Sequence, residues 1–131
     1  MAVICDIDDT LLTQRGGQPM KRTIEYLKTL KGPVFIITGR DESKRAETVR
    51  QLRAAGVKYS RLFMNPKKGY DAQYKYETAK RLLQTHDISV AIENNPKERA
   101  AYERAGIKAI DPATLPDVKK MWQIWKFNSN D

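Results

Sequence analysis

Short apolar runs alternate with amphipathic helical stretches along almost the whole chain, and this rhythm constrains the fold more than any other feature. Repeated strand-helix-strand succession calls for parallel strands joined by right-handed crossovers. The predicted product is an α/β fold, a three-layer α/β/α sandwich around a mostly parallel sheet. Strands are predicted at Ala2–Asp6, Val34–Thr38, Arg61–Met64, Val90–Glu93 and Lys108–Ile110. A first helix follows Pro19, sets Ile24, Leu27 and Leu30 on one face and stops at Gly32-Pro33. Asp41 is the predicted cap of a second, whose Ala46, Val49 and Leu52 share a face until Gly56. A third runs from Asp71 to Gln84 with Ala79, Leu82 and Leu83 inward, and a fourth follows Pro96 and ends near Gly106. After Pro116 the spacing of Val118, Trp122 and Trp125 predicts a last helix docked on the sheet, with both tryptophans in the core and Asn128–Asp131 frayed.

Length and composition narrow the classes further. With 131 residues and 40% hydrophobic content, one domain covering residues 1–131 is expected. The opening residues form no signal-peptide pattern and no apolar stretch is long enough to span a membrane, so a cytoplasmic setting with no membrane partner is the expectation. The single cysteine, Cys5, can close no internal disulfide and is expected to pack as a small apolar group. A formal charge of +8 attracts polyanions, although a soluble protein with no such ligand can carry the same charge.

In an open parallel sheet, ligands bind beyond the carboxyl ends of the strands, so the residues that end each apolar run carry the chemistry. The first run ends Asp6-Ile-Asp8-Asp9-Thr10. Of two carboxylates one residue apart on the same side, one can attack phosphorus while the other protonates the leaving oxygen and later activates water. A strand ending in an acidic turn accounts for one Asp but poorly for three within four residues. The second run ends Thr38-Gly39-Arg40: a hydroxyl, a backbone open to close approach and a guanidinium, three groups suited to binding a phosphoryl oxygen. Taken alone, the tripeptide reads more readily as a helix N-terminus with a solvated Arg40.

Asp6-x-Asp8-x-Thr10 and Thr38-Gly39-Arg40 resemble the first two motifs of haloacid dehalogenase (HAD) superfamily phosphatases, across nearly the whole chain. The resemblance implies a Rossmann-like sheet, an aspartyl-phosphate on Asp6, general acid/base work by Asp8 and phosphoryl binding by Thr38. It implies Mg²⁺ as cofactor and a third-motif lysine, for which Lys75 has the register, with Lys67, Lys68 and Lys80 as competitors. A fixed ammonium there reduces repulsion among Asp6, its phosphate and the acidic metal site. The fourth motif, an acidic pair in the family, is Glu93-Asn94-Asn95-Pro96 here. The implied metal site is Asp6, the Asp8 main-chain carbonyl, Glu93 and Asn94, the last contributing a neutral oxygen; the same residues also fit a turn and helix cap. Asp9 stands where many relatives have Gly.

Thirty-one residues separate Asp6 from Thr38 and thirty-six separate Thr38 from Lys75, room for a short flap but for no cap domain. An open cleft admits the end of a polymer, and with the basic balance this favours nucleic acid. Thr38-Gly39-Arg40 and the Asp71-to-Lys75 spacing are also similar to the phosphatase domain of phage-type polynucleotide kinase/3′-phosphatases. That similarity implies substrate contacts from Thr38, Gly39, Arg40 and Asp71 and action on 3′-phosphate ends. Asn65-Pro66 replaces the arginine expected after the third strand, and no kinase P-loop is present, so a separate kinase or ligase partner is expected for an otherwise monomeric protein. Tyr70, Tyr74 and Tyr76 lie near Lys75, either flanking a nucleotide or packing; His86 is expected to be exposed and idle. A nucleotidase or general small-molecule phosphatase, a catalytically weak nucleic-acid-binding module and a phosphoacceptor receiver remain as alternatives. A receiver fits poorly, because its acceptor Asp belongs after the third strand, where Asn65 stands.

Overall fold

A computed structural model describes residues 1–129. Five parallel strands, β1 (Ala2–Cys5), β2 (Val34–Asp41), β3 (Arg61–Asn65), β4 (Ile88–Ile92) and β5 (Ala109–Ile110), form one sheet in the order β3-β2-β1-β4-β5. The helices are α1 (Lys21–Lys28), α2 (Arg45–Ala54), α3 (Asp71–Leu83), α4 (Pro96–Arg104) and α5 (Val118–Ser129). The alternation of side chains along a strand separates two apolar layers. Val3, Cys5, Val34 and Ile36 join Ile24 and Leu27 of α1 and Leu52 of α2. Ala2, Ile4, Phe35 and Ile37 join Ala79 and Leu82 of α3 and Tyr102 of α4. The predicted three-layer α/β/α architecture is therefore the observed one, and among the described residues no cap domain interrupts it. No described helix is long and apolar enough to cross a membrane.

Both neighbours of the central β1 are reached by crossovers, β2 on one side and β4 on the other, so the strand order reverses there. A crevice opens outside the carboxyl ends at such a reversal. Asp6 leaves β1 at that point, its N–H bonded to the Ile92 carbonyl of β4 at 3.0 Å. β2 continues past Thr38 to Asp41 through a register shift against β3, which carries Gly39 and Arg40 along the crevice instead of into a helix. Asp41 then caps a 3₁₀ turn, Glu42–Lys44, by accepting from the Ser43 N–H at 2.8 Å, and that turn leads into α2.

Three expectations are corrected. The inward face of α2 is Thr48 and Leu52, while Ala46 is exposed and Val49 half-buried. His86 is half-buried, its ring edge-to-face with Phe35 at 4.8 Å. The largest correction is α5: Trp122 is 57% and Trp125 65% exposed, with Met121 and Ile124 exposed beside them. α1 and α2 already cover one face of the sheet and α3 and α4 the other, so the apolar stripe of α5 finds no uncovered strand; it touches α1, where Lys119 approaches Glu25 at 3.6 Å. The helix runs through Asn128 and Ser129, which were expected to fray; Asn130 and Asp131 lie outside the described residues.

Candidate active site

The turn after β1 is held from below by its apolar members. Ile7, Leu11 and Leu12 are buried, and the N–H groups of Thr10, Leu11 and Leu12 all donate to the Ile7 carbonyl. This tight turn puts Asp9 in the left-handed region at φ 57°, which explains the preference for Gly at such a position. An Asp tolerates it because its carboxylate accepts from the Gln14 N–H at 2.9 Å, tethering the flap formed by residues 13–18. The Asp9 side chain is exposed and off the wall of the cleft that holds Asp6 and Asp8.

Asp6 is nearly buried, and each carboxylate oxygen has a donor: Lys75 Nζ at 2.9 Å on Oδ1 and the Thr10 hydroxyl at 3.1 Å on Oδ2. Lys75, only 1% exposed, also meets Glu93 at 2.6 Å and Glu98 at 2.7 Å. Burial pulls the ammonium toward its neutral form, but the charges around it, Asp6 foremost, outweigh this and hold its pKa well above the ordinary lysine value. The same burial, together with the Asp6 charge, pushes Glu93 up to about 8. Lys75 is the lysine that the structure brings to Asp6, whereas Lys67, Lys68 and Lys80 are all exposed. Glu98 was not foreseen, although Asn95-Pro96 just before it is a helix-start signal. Asn95 caps α4 by accepting from the Lys97 and Glu98 N–H groups, which places Glu98 in the first turn beside Lys75.

Arg40 lies where the second motif should meet a phosphate, but its guanidinium is engaged elsewhere. Nε and Nη2 make a bidentate pair with the Asp8 carboxylate at 3.1 and 2.8 Å, and Nη1 donates to Thr48 and Gln51 of α2. It therefore orients Asp8 rather than reaching freely into the cleft. Thr48 and Gln51 were missed because the α2 face was assigned by apolar residues alone. Thr38 is fully buried, and its hydroxyl accepts from the Arg40 N–H at 3.1 Å, lying just beneath the cleft surface. A Cβ at Gly39 would collide with the Asp71 carboxylate, so only glycine permits this approach of α3 to β2. Asp71 in turn accepts from Asn65 Nδ2 at 3.1 Å. Asn65 also donates to the Gly69 carbonyl and accepts from the Lys67 N–H, building the loop into α3.

These residues enclose a cleft of about 330 Å³ whose wall includes Asp6, Asp8, Gly39, Arg40, Asp71, Lys75, Asn94 and Glu98. Four carboxylates face two cations there, an acidic excess that suits a hard divalent ion. Asn94 presents Oδ1 to the cleft, within 3.5 Å of the Thr10 hydroxyl. Glu93 has no exposure and does not line the cleft: it lies behind Lys75, accepts from the Asn95 N–H at 3.1 Å and adjoins the Asp6 carboxyl. Among the described residues no three His, Cys, Asp or Glu side chains converge to hold a metal ion. An ion here would draw on the Asp6 carboxylate, the Asn94 carbonyl and main-chain oxygen.

Comparison with known proteins agrees with this geometry. A family model described as HAD superfamily, subfamily IIIB (Acid phosphatase), matches residues 13–98, a span that includes Thr38-Gly39-Arg40, Lys75 and Glu93-Asn94-Asn95 and begins after Asp6 and Asp8. No curated protein matches the chain. Among solved structures, a chain in the "Structure of the Pnkp1/Rnl/Hen1 RNA repair complex" superposes with a TM-score of 0.71 and 20% identity over 84% of this chain and 41% of that one. A chain in the "Structure of Pnkp1/Rnl/Hen1 complex" gives 0.67 and 21% over 84% and 45%. At such identities the likeness is one of fold, and this chain spans less than half the length of either.

Proposed function

Because the chain belongs to the HAD superfamily and is one of its phosphatases, we propose that it is a Mg²⁺-dependent phosphomonoesterase that removes terminal 3′-phosphates from nucleic acid through an aspartyl-phosphate on Asp6. The observation that carries the catalytic part is the pairing of Asp6 with buried Lys75 beside an Asp8 clasped by Arg40. Lys75 and the Thr10 hydroxyl each bond one Asp6 carboxylate oxygen and so fix the orientation of the nucleophile. One of these oxygens attacks phosphorus, and the bond from phosphorus to the ester oxygen breaks. Asp8, positioned by the guanidinium, first takes up a proton from solvent and then passes it to the departing oxygen. It then takes a proton from water as that water attacks phosphorus, which breaks the Asp6–phosphate bond and frees inorganic phosphate. Asp6, the Asp8 main-chain carbonyl and Asn94 would hold the Mg²⁺, which when bound offsets the negative charge of the phosphoryl group. Glu93 supports it indirectly, as the partner of Lys75.

The substrate reading rests on openness and charge. Among the described residues no cap closes the cleft, the molecule carries +8, and a solved neighbour comes from an RNA repair complex, which favours a nucleic-acid substrate and a separate kinase or ligase as partner. The test is phosphate release from 3′-phosphorylated oligonucleotides, 5′-phosphorylated oligonucleotides and mononucleotides, with Mg²⁺ and with chelator. Preference for 3′ ends is the expected result. Faster turnover of free mononucleotides would instead identify a nucleotidase.

A further inference from the structure

The phosphoryl cleft continues into a larger depression. Asp8, Gln14, Gly39, Arg40 and Asp71 border both, and the second measures about 760 Å³. Ser43 and Lys44 of the 3₁₀ turn, the acidic Asp41 and Glu47 beside them, and Lys68 and Gly69 of the loop before α3 line it. Tyr70 stands between Gly69 and Asp71, both of which line the depression, although Tyr70 itself is not part of its wall.

Tyr70 is unusual in two independent ways. Its ring is 87% exposed and belongs to neither apolar layer, whereas Tyr74 and Tyr76 on the same helix pack against the core. Its backbone is left-handed at φ 55°, a conformation that strains a non-glycine residue. No side-chain cap bond compensates at this helix start. The loop is nevertheless fixed on both sides: Asn65 binds the Gly69 carbonyl and the Asp71 carboxylate, and the Tyr70 carbonyl accepts from the Tyr74 N–H at 3.0 Å. A large aromatic ring is thus presented to solvent from an anchored backbone beside the reaction site. Strain retained without a packing return points to function.

We propose that this depression is the subsite for the 3′-terminal nucleoside and its 5′ phosphodiester, with the Tyr70 ring stacking on a base and the exposed Lys44 and Lys68 ammonium groups countering the phosphodiester charge. The assignment rests on the nucleic-acid reading above and adds the residues that favour a polymer over a bare phosphate ester. Stacking on one ring accepts any base, so the preference is for nucleic acid without regard to sequence.

The experiment compares kcat/KM for a 3′-phosphorylated oligonucleotide with that for p-nitrophenyl phosphate in wild type, Tyr70→Ala, Tyr70→Phe and the double variant Lys44→Ala/Lys68→Ala. Loss of base stacking lowers the oligonucleotide-to-nitrophenyl ratio about tenfold in Tyr70→Ala, and Tyr70→Phe restores it. The lysine double variant reduces the slope of log KM against log salt for the oligonucleotide by about 1. A wild type that prefers the oligonucleotide, with the ratio unmoved in Tyr70→Ala, overturns the subsite and leaves the 3′-phosphatase reading standing. A wild type that cleaves p-nitrophenyl phosphate but shows no preference for the oligonucleotide overturns the nucleic-acid reading itself. Preference for a phosphotyrosine peptide that depends on Tyr70 would reassign the groove to peptide and overturn the proposal.

Discussion

The carboxyl end of the sheet and the C-terminal helix break opposite rules of a folded protein. Around Lys75 the interior is polar and charged: one ammonium meets the buried carboxyl groups of Asp6 and Glu93 and the more open Glu98 at 2.6 to 2.9 Å. Along α5 the surface is apolar, with Met121, Trp122, Ile124 and Trp125 in solvent. Buried charge survives only where every member has a partner, so the Lys75 cluster is an interdependent unit that no single substitution leaves intact. Exposed apolar surface needs no partner to persist, so replacing these four exposed apolar residues of α5 should have little effect on folding. The first region is therefore sensitive throughout, and the second tolerant.

Lys75→Met is the severest test of that contrast. It strands the Asp6 carboxylate without its cation and should cost about 3–5 kcal/mol in urea unfolding of the metal-free protein, with phosphatase activity lost. A cost no greater than that of an α5 substitution would erase the distinction. Next, Arg40→Lys keeps a charge beside Asp8 but loses the two-pronged grip; kcat should fall on the order of 10²-fold with the fold intact, as steady-state kinetics and a thermal melt would show. Glu93→Gln comes third. Folded Glu93 holds its proton to about pH 8, whereas the unfolded side chain releases it near 4.5, so its share of stability is present below pH 4.5 and is lost as pH rises toward 8. The variant should flatten the decline of stability across that window in urea titrations of the metal-free protein; an unchanged slope would mean another group holds the proton. Smallest is the double variant Trp122→Ser/Trp125→Ser, expected to shift unfolding by no more than about 0.5 kcal/mol. A loss of several kcal/mol would show that α5 does pack.

What the sequence made legible follows the same division. Asp6, Asp8, Gly39 and Lys75 were readable because each sits at a fixed offset from an apolar run or within a helix register. The layers were readable because strand alternation is local. Glu98, Thr48 and Gln51 were not, since their importance arises when α4 meets α3 and α2 meets β2. Arg40 was read as a free phosphate binder because its carboxylate partner lies thirty-two positions away. For α5, helical spacing marks an apolar face but not whether a surface remains for it to cover. Asn65, in the place of an expected arginine, proved to be the residue that shapes the loop into α3.

The central claim is that the Asp6 carboxylate itself becomes esterified. Asp8→Asn removes the acid/base while leaving the nucleophile, and p-nitrophenol leaves without needing a proton. Acid-quenching this variant during turnover of p-nitrophenyl phosphate and mapping the phosphate by peptide mass spectrometry therefore interrogates the step directly. The account predicts one phosphorylated peptide, carrying the modification on Asp6. Wild-type turnover with no covalent phosphate trapped in the variant, or with phosphate on any other residue, would contradict it.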